Sequence, residues 1–80
     1  MFTVYILQNL AHKYYTGVTS DTVKRLLAHN SGANKYTRHG RPWEIIYTEI
    51  FASKSEAWSR ERQIKKYKGG EVFKKLLGLK

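Results

Sequence analysis

Runs of alternating apolar and polar residues mark out the elements of this chain. Phe2-Thr-Val-Tyr-Ile-Leu7 is β-branched and aromatic throughout and predicts a strand. Strand side chains point to opposite faces in turn, so Phe2, Val4 and Ile6 share one face and Thr3, Tyr5 and Leu7 the other. Polar residues from Gln8 to Lys13 predict a turn, and Tyr14 to Thr19 a second strand, so the two form a hairpin. Ser20 and Asp21 can each cap the first exposed N–H groups of a helix that runs to about Asn30 and ends at Ser31-Gly32. In that helix Val23, Leu26 and Leu27 form the expected buried stripe, while Arg25 and His29, one turn apart, share another face.

Residues 31–42 predict a loop, long enough in so small a chain to suggest a functional segment. Trp43 to Phe51 returns to strand character, with Trp43, Ile45, Tyr47 and Phe51 on one face and Ile46, Thr48 and Ile50 on the other. Ser53, followed three residues later by Glu56, is a helix-capping signature. The helix it opens reaches about Lys68, Gly69-Gly70 breaks it, and Glu71 to Leu77 predicts a short last helix. The order ββαβαα predicts an α+β fold, a three-stranded antiparallel sheet flanked by helices. Without repeats, linkers or low-complexity tracts, residues 1–80 are expected to form one domain.

Composition narrows the chemistry. The absence of cysteine excludes a disulfide framework and thiolate metal binding, and His12, His29 and His39 lack metal-ligand spacing. No apolar run is long enough to span a membrane, and Phe2–Leu7 is too short for a signal peptide, so a soluble, cytoplasmic protein is expected. Fifteen Lys and Arg residues against six Asp and Glu give a net charge of +9, which attracts polyanions, nucleic acid foremost. That charge also suits ribosomal RNA, an anionic membrane surface, an acidic partner or a merely solvated face. The excess is uneven: residues 35–41 carry Lys35, Arg38 and Arg41, and residues 60–80 carry eight basic groups against two acidic ones. These two segments, with Lys65, Lys66 and Lys68 in the second, are the candidate nucleic-acid-binding surface.

Four local features stand out against this background. At helical spacing Glu61 falls between Ala57 and Ile64 on the inward side of the second long helix, with Trp58 on the flank. It is either a boundary glutamate paired with Lys65 at i,i+4 or a carboxylate that holds a divalent cation or polarises water. Arg25 and His29 are either solvated or a pair able to grip a phosphate and act on a proton. Tyr5 and Tyr15, on neighbouring strands, are either packing groups or phenols placed to orient or deprotonate water at a phosphodiester. Gly17, inside the second strand, suggests close approach by another group.

Taken in order, Thr3-Val4-Tyr5, Tyr15-Thr16-Gly17, Arg25 with His29, Tyr36-Thr37 with Arg41-Pro42-Trp43, and Glu61 within Ser55–Lys65 resemble the GIY-YIG nuclease superfamily, in particular its small single-domain bacterial members. The resemblance covers about residues 2–78 and is similar to the nuclease domains of excision-repair and structure-specific resolvase nucleases. It implies hydrolysis of a DNA phosphodiester, in repair or recombination. It implies Tyr5 as general base or water-orienting group, Tyr15 at the reacting phosphate, and Arg25 stabilising the pentacovalent phosphate. His29 would assist with protons, and Glu61 would hold a single Mg²⁺ or Mn²⁺. The same resemblance implies that Glu61 faces the sheet carrying both tyrosines. Thr3 and Thr16 stand where the family motifs have glycine and isoleucine, and no asparagine follows Asn34, although many family nucleases have a later one in the site. Specificity then has to come from the basic loop, the C-terminal helices or a protein partner. Two rivals are a non-catalytic nucleic-acid-binding module with the same fold and a basic interaction protein that docks through Trp58 and Tyr67.

Overall fold

A computed structural model describes residues 1–68 and 70–78. The elements follow the predicted order: β1 (Phe2–Asn9), β2 (Tyr14–Thr19), α1 (Thr22–Ser31), a 3₁₀ turn (Arg38–Gly40), β3 (Trp43–Phe51), α2 (Lys54–Lys66) and α3 (Glu71–Leu76). The three strands form an antiparallel sheet in the order β2-β1-β3. As the central strand, β1 is covered on both faces, so Val4 through Leu7 are buried without interruption. On one face Val4 and Ile6 pack with Ala57 and Ile64 of α2 and Phe73 of α3. On the other, Tyr5 and Leu7 pack with Trp43, and Tyr15, Leu26 and Ile45 close around them. The sheet therefore lies between α1 on one side and α2 with α3 on the other.

Local chemistry accounts for the boundaries. The Asn9 carboxamide oxygen accepts N–H bonds from Ala11 (3.0 Å) and Lys13 (2.9 Å), which carries β1 two residues past the predicted Leu7 and shapes the hairpin turn. Asp21 caps α1 by accepting the Lys24 N–H at 3.0 Å, and Gly32, at φ +86°, ends it in the left-handed region. Ser53 accepts the Glu56 N–H at 3.2 Å and donates its hydroxyl to the Glu56 carboxylate at 2.8 Å, so both partners of the expected cap engage at α2. That helix ends at Lys66, with Tyr67 as its cap, slightly before the expected Lys68. Gly69, half of the expected break, lies outside the described residues, as does Lys80 at the end of the expected domain.

Two predicted faces are corrected. In β3, Tyr47 pairs with Ile6 and Ile45 with Leu7, a bulge that adds one residue at Ile46. The alternation reverses there, so Trp43 and Ile45 pack on the α1 side, whereas Tyr47 and Phe51 pack toward α2. In α1 the predicted stripe is mostly outside: Val23 is 69% and Leu27 65% exposed, and the inward positions are Leu26 and His29. An imidazole can take this buried place because both of its nitrogens find partners there.

Candidate active site

β1 and β2 bring two phenols to one face. Tyr5 lies opposite Gly17 and Leu7 opposite Tyr15, so the two tyrosines share the α1 side, with ring centroids 6.4 Å apart. A Cβ at Gly17 would stand 2.5 Å from Tyr5 Oη and 2.7 Å from Cζ, so the phenol lies flat across a residue that must have no side chain. The approach expected at Gly17 is thus made by Tyr5 itself.

α1 supplies the groups that meet this phenol. His29 Nε2 lies 2.9 Å from Tyr5 Oη, and the Arg25 Nε–H donates to the same oxygen at 3.3 Å. The Tyr15 ring stands edge-on to His29 at 4.9 Å. Tyr5, Tyr15, Arg25 and His29 therefore converge, with Tyr5 and His29 buried, Tyr15 half-buried and Arg25 exposed. His29 is on the inward face of α1, not on the separate polar face that its spacing predicts. Burial and, less strongly, the Arg25 charge hold its pKa below the usual imidazole range, so at neutral pH it is uncharged. Burial pushes the Tyr5 phenol above its ordinary value; the Arg25 hydrogen bond opposes this, and the charges of Tyr15 and Glu61 add to the rise. The bond to Tyr5 in turn raises Arg25, which stays cationic.

Thr37 completes this group, although the sequence gives it no chemical role. Its hydroxyl lies 2.7 Å from His29 Nδ1, and it is 1% exposed. Its carbonyl accepts the Trp43 indole N–H at 2.7 Å, while the Asn30 carboxamide exchanges two hydrogen bonds with the Trp43 backbone. These bonds fasten the 31–42 loop against α1 and the start of β3. The available signal was chemical: a histidine packed inward requires a partner at its second nitrogen.

Glu61 belongs to α2, which packs on the sheet face opposite α1, and its charge is felt at Tyr5. Its carboxylate lies 3.4 Å from the Lys65 ammonium, the i,i+4 pairing, and its side chain is 20% exposed. Among the described residues no three His, Cys, Asp or Glu side chains cluster to hold a metal. A single accessible carboxylate fits an ion of the magnesium type, which keeps most of its water and takes one or two carboxylates plus substrate phosphates.

The candidate binding residues are all on the surface. Lys35, Arg38 and Arg41 are exposed in the loop that Thr37 anchors, with the Lys35 ammonium 5.2 Å from the Tyr36 ring centroid. Arg41 also borders a cleft of about 490 Å³ that includes Tyr15, Tyr36, Lys13 and His39. Lys65, Lys66 and Lys68 are exposed near the end of α2, and Lys65 and Lys68 line a second groove of about 400 Å³ beside Tyr15 and Thr16. Tyr15 thus stands where two basic grooves meet. Arg60, which by sequence belongs to the basic C-terminal segment, is instead engaged by Glu49 through Nε–H at 2.9 Å and a terminal N–H at 3.0 Å. Trp58 is 47% exposed and Tyr67 half-buried against the α2-side core.

Residues 1–74 match the family model described as the GIY-YIG catalytic domain. The chain belongs to the GIY-YIG family. GIY-YIG proteins are a nuclease-type family that acts on nucleic acid and generally uses divalent metal ions. A UPF0213 protein of Staphylococcus haemolyticus is 40% identical over 72 residues, covering 89% of this chain and 88% of its own. A UPF0213 protein of Clostridium perfringens is 48% identical over 64 residues, covering 79% and 69% respectively. The solution NMR structure of a UPF0213 protein from Bacillus halodurans resembles this fold with a TM-score of 0.50 at 35% identity, covering 91% of this chain and 92% of that one. This GIY-YIG chain thus combines the small-protein form of the family with a buried Tyr5–His29 pair. No helix among its described residues is long and apolar enough to cross a membrane.

Proposed function

We propose that this GIY-YIG protein is a metal-dependent endonuclease that hydrolyses DNA phosphodiesters within one domain, residues 1–80, and works in the cytoplasm. The observation that supports this most is the hydrogen-bonded chain from the exposed Arg25 through the buried Tyr5 and His29 to Thr37, set beside two grooves edged by basic residues. A binding module needs cations and stacking groups, but not an uncharged imidazole bonded to a phenol.

In the proposed reaction, the Tyr5 oxygen takes a proton from the attacking water while its own proton passes to His29 Nε2. The water oxygen bonds to phosphorus as the bond to the leaving oxygen breaks. Arg25, held through Nε by Tyr5, offsets charge on the pentacovalent phosphate, and Tyr15 hydrogen-bonds the same group. Glu61 would hold one Mg²⁺ or Mn²⁺, which would supply neutralisation of charge at the leaving oxygen. Lys35, Arg38 and Arg41 on one side, with Lys65, Lys66 and Lys68 on the other, hold the phosphate backbone. A protein partner can add preference for a DNA structure in repair or recombination.

One observation favours a second reading, a nucleic-acid-binding module without catalysis: the Glu61 carboxylate is already paired with Lys65. Labelled duplex, single-stranded, flap and branched DNA incubated with Mg²⁺, Mn²⁺ or chelator separates the two. Cleavage that is lost with chelator and in Glu61→Ala is expected; binding to every substrate without cleavage of any supports the module.

A further inference from the structure

Thr37 is the one fully buried residue of the 31–42 loop. Three contacts besides His29 fix its place: the Trp43 indole N–H on its carbonyl, its own N–H on the Asn34 carbonyl at 3.3 Å, and the 3₁₀ turn that follows it. Its backbone position therefore does not depend on the hydroxyl, which is left to act on His29 Nδ1 at 2.7 Å.

A neutral imidazole carries one proton, and its location decides which way the chain runs. With the proton on Nε2, both Arg25 and His29 donate to the Tyr5 oxygen, and the phenol's own proton has no acceptor. Two donors on one oxygen suit a phenolate, whereas burial keeps Tyr5 a neutral phenol. With the proton on Nδ1, His29 donates to Thr37 and Nε2 accepts from Tyr5. A phenol is a stronger proton donor than an aliphatic hydroxyl, so this direction makes the better use of both ends.

We propose that Thr37 is a positioning residue that accepts the Nδ1 proton of His29 and thereby keeps Nε2 open to the Tyr5 proton. The role rests on Tyr5 and His29 carrying the proton transfer in phosphodiester cleavage. During that step Tyr5 gains a proton from water and gives one to Nε2, and His29 becomes an imidazolium whose Nδ1–H remains on Thr37. The leaving oxygen is then protonated from solvent, and His29 releases its proton.

Nitrogen-15 NMR of the histidine-labelled full chain, at a pH where His29 is neutral, reads which ring nitrogen is protonated. The wild type and Thr37→Ser are expected to hold the proton on Nδ1. Thr37→Val has nearly the same volume and shifts the tautomer ratio toward Nε2–H by about tenfold, the worth of roughly one hydrogen bond. Its cleavage rate is expected to fall by about tenfold to hundredfold with KM unchanged, and Thr37→Ser to restore it. An Nε2–H tautomer in the wild type overturns the assignment, as does Thr37→Val with unchanged tautomer and unchanged cleavage. If the tautomer shifts as expected but the wild type cleaves no DNA, the nuclease reading falls and the hold of Thr37 on His29 stands.

Discussion

The Tyr5 hydroxyl touches His29 and Arg25 and lies across Gly17, so small changes around it have large expected effects. Gly17→Ala forces the phenol to shift, because its oxygen would lie 2.5 Å from the new methyl group. We expect a loss of about 1–3 kcal/mol in denaturant unfolding, accompanied by changed Tyr5 and His29 ring resonances. His29 gives a pH signature with a definite sign. Its pKa in the folded protein is lowered, so the unfolded chain binds the proton first as pH falls. The stability due to a neutral His29 is complete above about pH 6.5 and is lost from there down through the lowered folded value. Denaturation midpoints measured between pH 8 and pH 5 should show this decline, and His29→Gln should flatten it. The raised Tyr5 phenol acts at the other end, removing stability above about pH 10. That Tyr5, Tyr15 and Arg25 come together was legible in the sequence through the order of the family motifs. The burial of Thr37 was not, because a polar threonine in a basic loop carries no local sign of it.

At the scale of elements, periodicity identified every strand and α-helix, missed the 3₁₀ turn Arg38–Gly40 inside the expected loop, and misassigned faces in two elements. The β3 bulge at Ile46 reverses alternation, and no Gly or Pro marks it. α1 buries Leu26 and His29 because the Tyr5 and Thr37 hydroxyls satisfy the imidazole, an arrangement that exists only once distant segments meet. α2 followed its pattern more closely, with Ala57 and Ile64 fully inward. Ile64→Ala should therefore cost about 2–5 kcal/mol in a denaturant titration. A second tie, between Glu49 on β3 and Arg60 on α2, was invisible in the sequence because eleven positions separate the pair. The Arg60 hydrogen bonds hold the Glu49 carboxyl below its usual pKa, and Tyr47 also donates its hydroxyl to it. A Glu49→Gln, Arg60→Met double-mutant cycle should give a coupling of about 1 kcal/mol at neutral pH. Since the folded carboxyl pKa is depressed, that coupling should vanish as pH falls below the ordinary carboxylate range and through the lowered value.

Across the whole molecule the net charge of +9 divides by location. Arg60 belongs to the sheet–helix tie and Arg25 to the Tyr5 cluster, while Arg41 borders one, and Lys65 and Lys68 the other, of the two grooves that share Tyr15. Replacing Lys35, Arg38 or Lys68 with Ala should each reduce the salt slope of DNA binding by about one unit, the share of one neutralised phosphate. Catalysis should respond to a different change. The most direct measurement is single-turnover cleavage of a labelled DNA substrate in Mg²⁺ by wild type and Tyr5→Phe, with binding affinity measured in parallel. We predict equal affinity and a cleavage rate lower by about a hundredfold or more in Tyr5→Phe, since only the proton-carrying hydroxyl is removed. Cleavage by Tyr5→Phe at the wild-type rate would contradict the proton chain through Tyr5 and His29, and tight binding by a wild type that cleaves nothing would contradict the nuclease reading itself.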